Sequence, residues 1–199
     1  MTARGSLGPA HFDALYETDA DPWRFRTSAY EQAKYQRTLA ALGQRRFRSA
    51  FEVGCSIGVL TRLLAERCDA VLAVDLVDRP LDMARTACAD QPWVRIEKMR
   101  VPEAWPTGMF DLIVLSEVLY FLVPVDIDAV ADCTVGSLVR GGVVVLVNWL
   151  GRSGDPCTGE DAARLFIERA GSVLRPVVSE RTAEYRLDVL TMPPDVACL

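Results

Sequence analysis

Phe51-Glu52-Val53-Gly54-Cys55-Ser56-Ile57-Gly58 is the stretch on which the fold turns. Ala50 to Gly54 reads as a short buried strand ending in glycine, and Val59 to Arg67 (VLTRLLAER) carries leucines at helical spacing. A strand that runs through a glycine turn into a helix leaves that helix's free N–H groups beside the end of the strand, where they favour an anion. Gly54 permits a turn that a side chain would obstruct, and Gly58 lets the helix begin close beneath a ligand. Cys68 to Asp75 (CDAVLAVD) is a second apolar run, and its terminal Asp75 stands 23 residues after Glu52. A carboxylate at that point can accept the hydroxyl hydrogen bonds of a ribose. Strand, glycine turn, helix, strand and acid together make a nucleoside-binding constellation.

The loop spacing narrows the ligand. A dinucleotide pyrophosphate approaches the backbone through G-x-G-x-x-G. Here the spacing is G-x-x-x-G, with Ser56 where a middle glycine would fall and Glu52 two residues before Gly54. The anionic Glu52 disfavours a pyrophosphate and suits a sulfonium nucleoside bearing an ammonium group.

Outward from this unit the pattern repeats. Arg79 to Ala89 reads as a helix and Trp93 to Lys98 as a strand. Phe110 to Leu115 is a strand, Ile127 to Val139 a helix closed by Gly141-Gly142, and Val143 to Trp149 the most β-branched run. Such alternation predicts βαβ units around a parallel sheet buried on both faces. The end departs from it. Thr158 to Ala170 is a helix with a capping-box start. Leu174 to Thr182 and Tyr185 to Met192 are strands whose connection is too short for a parallel crossover, so they must pair antiparallel. The fold class is therefore α/β and Rossmann-like: a mostly parallel seven-stranded sheet with a C-terminal antiparallel hairpin and helices on both faces. Residues 1–48 read as an N-terminal helical and aromatic cap, with a helix from Ser28 to Leu42. Residues 49–192 read as the main domain and 193–199 as a loose tail.

Composition bounds the function. The 199 residues suit one domain, half of them apolar, with a net charge of -5. The longest basic run is Arg45-Arg46, which argues against a nucleic-acid partner. Six cysteines without a C-x-x-C pair and a single histidine, His11, predict free thiols, no metal site and a reducing cytoplasm. No apolar run is long enough to span a bilayer. Oligomeric state is not readable from the sequence.

Two later blocks fit the nucleoside reading. Met99, Arg100 and Val101 follow the third strand, where they can flank an adenine. Ser116 and Glu117 fall at the carboxyl end of the fourth, the edge where ligands bind in open α/β sheets.

At this point the chain resembles known families. Phe51 to about Met192 is similar to the class I S-adenosylmethionine-dependent methyltransferases, whose E/D-x-G-x-G-x-G loop appears here with serine for the middle glycine. The block Asp21-Pro-Trp-Arg-Phe-Arg-Thr-Ser-Ala-Tyr-Glu-Gln-Ala-Lys-Tyr35, with FEVGC and FDLIVLSEVLYFL, resembles the nodulation protein S family. The resemblance implies S-adenosyl-L-methionine as cofactor, held by Glu52, Gly54, Cys55, Gly58, Asp75, Leu76, Met99, Arg100, Val101 and Ser116. It implies that Trp23, Arg26, Tyr30 and Tyr35 help to close the cofactor pocket, and that the acceptor is the free amine of a deacetylated chitooligosaccharide. An amine must be neutral to attack, so a neighbouring carboxylate is expected. Glu117 is the first candidate base, with Tyr120 and Asn148 as orienting groups and His11 as an alternative. Another small-molecule amine, hydroxyl or carboxylate acceptor stays open. So do a Rossmann dehydrogenase and a non-catalytic nucleoside-binding protein.

Overall fold

A computed structural model describes residues 5–152 and 154–194. Seven strands form one sheet in the order β3-β2-β1-β4-β5-β7-β6. The strands are β1 (Ala50–Val53), β2 (Val71–Asp75), β3 (Val94–Lys98), β4 (Phe110–Ser116), β5 (Leu138–Trp149), β6 (Arg175–Arg181) and β7 (Tyr185–Thr191). Strands β1 to β5 run parallel, and β7 pairs antiparallel with both β5 and β6. The hairpin and the parallel crossovers agree with the sequence expectation, and this is the class I methyltransferase architecture. The order reverses between β1 and β4, so a crevice opens there at the strands' carboxyl ends.

Alternate residues of the central strands serve two cores. Phe51, Val53, Ile113, Leu115, Val144 and Leu146 face α5 (Pro124–Ser137) and α6 (Gly159–Ala170). Ala50, Ala73, Leu112, Val114 and Val145 face α3 (Val59–Ala65) and α4 (Asp78–Ala87). Burial on both faces explains why these strands read as continuous apolar runs.

The departure within the sheet lies before Gly142. Helix was expected through Val139, yet α5 stops at Ser137 and β5 begins at Leu138. Leu138 pairs with Phe110, and the register shifts between Phe110 and Leu112. Gly141 has φ +73 and its N–H donates to Met192 O at 2.8 Å. Pairing beyond an irregularity outweighs local helical pattern here.

The N-terminal segment adds two helices. The helix α1 (Pro9–Thr18) was not anticipated, and buries Phe12 and Tyr16. The expected α2 (Ala29–Ala41) starts at Ser28, whose hydroxyl accepts the Glu31 N–H. Cys55, Cys68, Cys88, Cys133 and Cys157 are free, while Cys198 lies outside the described residues. The expected tail lies outside them from position 195 onward. Among the described residues no helix is long and apolar enough to cross a membrane.

Candidate functional site

The loop between β1 and α3 has three residues in the left-handed region: Gly54 at φ +77, Ser56 at φ +48 and Gly58 at φ +81. A Cβ on Gly54 would collide with Val118 Cγ2, and one on Gly58 would come within 2.9 Å of Ala84 Cα. Gly54 thus lets Val118 pack against the loop, and Gly58 lets α3 approach α4. Ser56 tolerates its conformation because two anchors hold it. Its N–H donates to Asp75 Oδ2 at 2.9 Å, and its hydroxyl is hydrogen-bonded to the Tyr16 hydroxyl.

Asp75 also accepts the Leu76 N–H at 2.7 Å and the Val77 N–H at 3.3 Å. Burial pushes its carboxyl above the ordinary range, and these N–H donors oppose the shift. Glu52 is buried at 2 % exposure, and its Oε2 has no hydrogen-bond partner. Burial pushes this carboxyl up to about 7, and Asp75 nearby adds to the effect.

A cavity of about 400 Å³ opens at the crevice. Glu52, Gly54, Cys55, Asp75 and Leu76 line it from the first two strands and their loops. Met99, Arg100 and Val101 line it after β3, and Ser116, Glu117 and Tyr120 after β4. Trp23, Tyr30, Tyr35 and His11 reach it from the N-terminal segment. Three sequence candidates do not line it. Gly58 packs on α4. Arg26 is exposed and borders a separate shallow depression with Arg62 and Met83. The loop that carries Arg26 is instead held by Asp21, whose carboxylate accepts the Phe25 and Arg26 N–H groups at 2.8 and 3.0 Å. Asn148 is fully buried in β5, with both amide atoms unpartnered.

Two residues that the sequence reading did not single out complete the site. Lys34 Nζ donates to Glu117 Oε1 at 2.6 Å and to Glu31 Oε1 at 3.0 Å, and lies 4.9 Å from the Tyr30 ring centroid. Glu117 Oε2 accepts the Tyr120 hydroxyl at 2.8 Å and the Trp149 N–H at 3.0 Å. Glu117 itself sits at φ +59, turning the chain out of β4. The signal available in the sequence was the i, i+3 spacing of Glu31 and Lys34 in a helix that carries one of only two lysines in the chain. Their partner Glu117 lies 83 positions away, so no local pattern joins them.

Comparison with known proteins bears on this arrangement. The family model of nodulation protein S matches residues 13–144. The chain belongs to the nodulation protein S family. A curated nodulation protein S from Bradyrhizobium diazoefficiens is 36 % identical over 105 residues, which are 51 % of this chain and 49 % of that protein. The chain spans about half the length of the curated nodulation protein S relatives that it matches. A structure described as a putative methyltransferase from Pseudomonas syringae is 33 % identical, with a TM-score of 0.72, covering 81 % of this chain and 98 % of that one. The N-methyltransferase NodS from Bradyrhizobium japonicum, solved with S-adenosyl-L-homocysteine, is 21 % identical with a TM-score of 0.78. It covers 93 % of this chain and 98 % of that one, and shares the fold. The stretch matched to nodulation protein S includes Glu31, Lys34, Glu52, Asp75, Glu117 and Tyr120, while Trp149 falls beyond it.

Proposed function

We propose that this chain is an S-adenosyl-L-methionine-dependent methyltransferase that N-methylates an amine on a sugar or small molecule. A deacetylated chitooligosaccharide is the acceptor that the family suggests. The observation that carries the reading is the cavity at the β1–β4 crevice, where the Gly54 loop, Glu52 and Asp75 meet the Glu117–Tyr120 pair.

The residues fit a sulfonium nucleoside. Glu52 Oε2 is a buried acceptor with no donor among the described residues, and the lack of a side chain at Gly54 lets Val118 form part of the cavity wall beside it. Asp75 would hold the ribose, and Met99 and Val101 would flank the adenine. Bound there, the cofactor supplies an electrophilic methyl and its leaving group. The protein's part is alignment and exclusion of water. Trp23, Tyr16 and Phe25 cover the loop, with Trp23 and Phe25 stacked at 5.5 Å. Tyr120 donates its proton to Glu117, leaving its oxygen lone pairs to orient an acceptor N–H.

An amine acceptor is favoured over a carboxylate by charge. Among the described residues seven acidic side chains, Glu52 with its raised carboxyl included, line the cavity against two cations, Lys34 and Arg100, and the latter is paired with Glu103 at 3.1 Å. Such a lining attracts cationic ligands. In this reading residues 1–48 form a cap over residues 49–192, and the protein works in the cytoplasm.

Two assays test the reading. S-adenosyl-L-homocysteine should raise the melting temperature and NAD should not. Labelled methyl should pass to deacetylated chitooligosaccharides or to a small amine in a panel. Stabilisation by NAD alone would end the methyltransferase reading. Binding of S-adenosyl-L-homocysteine without transfer to any acceptor would leave a nucleoside-binding protein.

A further inference from the structure

Lys34 is 2 % exposed and stands between two carboxylates, Glu31 at 10 % and Glu117 at 14 %. A buried ammonium needs one counter-charge, and this one has two within 3.0 Å. Both Glu31 oxygens lie 3.0 Å from Nζ, and Glu31 Oε2 has no further partner among the described residues. One Glu117 oxygen takes Lys34, while the other takes the Tyr120 hydroxyl and the Trp149 N–H. The cluster therefore holds one more negative charge than positive. Its most exposed carboxylate, Glu117, lines the cavity over β4 and β5. The nucleoside elements lie over β1, β2 and β3, on the other side of the crevice. Tyr30 beneath Lys34 packs edge-on against Tyr185 of β7, so α2 roofs this second half.

Resting on the methyltransferase reading above, we infer that Glu31 is a specificity-determining residue that acts through Lys34: by sharing the lysine with Glu117 it keeps one negative charge at the acceptor half of the cavity and selects an ammonium-bearing acceptor. Lys34 is the positioning residue that fixes Glu117 beneath Tyr120. Without Glu31, Lys34 and Glu117 would neutralise each other and the acceptor cation would lose its counter-charge. Glu31 is acidic at a buried position where a glutamine would avoid the desolvation of a carboxylate. Burial indeed pushes its carboxyl up, and Lys34 opposes that shift.

The test compares wild type with Glu31→Gln and Glu31→Asp. Affinity for S-adenosyl-L-homocysteine is measured by calorimetry, and methyl transfer is measured on a panel of deacetylated chitooligosaccharides and small amines. Glu31→Gln should fold with an unchanged or higher melting temperature and bind S-adenosyl-L-homocysteine within about twofold of wild type. Its KM for the amine should rise about tenfold with kcat little changed, as for one lost charge interaction. Glu31→Asp should recover most of that KM. An unchanged KM in Glu31→Gln overturns the assignment, as does an equal loss of cofactor affinity. A wild-type protein that binds S-adenosyl-L-homocysteine but methylates no amine overturns the acceptor reading and the role of Glu31 with it. A wild type that binds no S-adenosyl-L-homocysteine overturns the underlying methyltransferase reading.

Discussion

At the scale of single residues the glycine loop after β1 rests on conformations that few side chains adopt. Gly54 combines φ +77 with a Val118 methyl lying where a Cβ would stand. Gly54→Ala should cost about 2 kcal/mol of stability, as overpacking at a strained position does. It should also weaken S-adenosyl-L-homocysteine binding, and denaturant unfolding with calorimetry measures both. Glu52 supplies a pH signature. Its carboxyl, pushed up to about 7 by burial, holds a proton in the folded chain that the unfolded chain has already lost above the usual glutamate range. That contribution is complete in acid and is lost as pH rises through about 7. Glu52→Gln removes the loss. Its advantage over wild type should therefore grow between pH 5 and pH 8, towards about 3 kcal/mol. Melting curves at the two pH values check this, and a constant difference would contradict it. Residue types and spacing were enough to nominate Glu52, Gly54 and Asp75. They did not reveal that Ser56 keeps a left-handed conformation because Asp75 and Tyr16 hold it.

Elements differ in how firmly they are attached. Among the described residues α1 buries only Phe12 and Tyr16, in a small cluster with Ile57 and Val77, and Tyr16 ties it to the loop at Ser56. Amide exchange in α1 should be faster than in β4 and β5. Tyr16→Phe should speed it further while global stability changes by no more than about 1 kcal/mol. The hairpin is held differently. Arg186 pairs with Asp188 Oδ2 at 2.7 Å and with Glu160 Oε1 of α6 at 2.8 Å, and Asp188 is 1 % exposed. Arg186→Met leaves that buried carboxylate without its cation, and chemical unfolding should report a loss of about 3 kcal/mol. Element types were readable where burial leaves a clear pattern, a continuous apolar run in β4 and a helical spacing in α6. The start of β5 was not, because Leu138 extends the strand through pairing with Phe110 that no local window contains.

For the whole molecule the distribution of charge matters more than its total. The net charge of -5 is modest, yet among the described residues the cavity gathers seven acidic side chains around two cations. Capture of a cationic acceptor should be steered by this field and weakened by salt. With a labelled-methyl assay, kcat/KM for an amine acceptor should fall about tenfold between low and high ionic strength, the scale of electrostatic steering. A salt-independent kcat/KM would argue against an acidic entrance.

The sequence by itself determined the α/β class, the parallel order closed by an antiparallel hairpin, the glycine loop and Asp75. Each of these follows from a period or spacing within some thirty residues, where local sterics and burial act directly. Tertiary structure alone decided that Arg26 and Asn148 stand away from the cavity and that Lys34 joins Glu31 to Glu117. The last of these depends on where α2 brings Lys34 relative to the end of β4. A buried ion pair between residues 83 positions apart has no trace in either residue's neighbours along the chain.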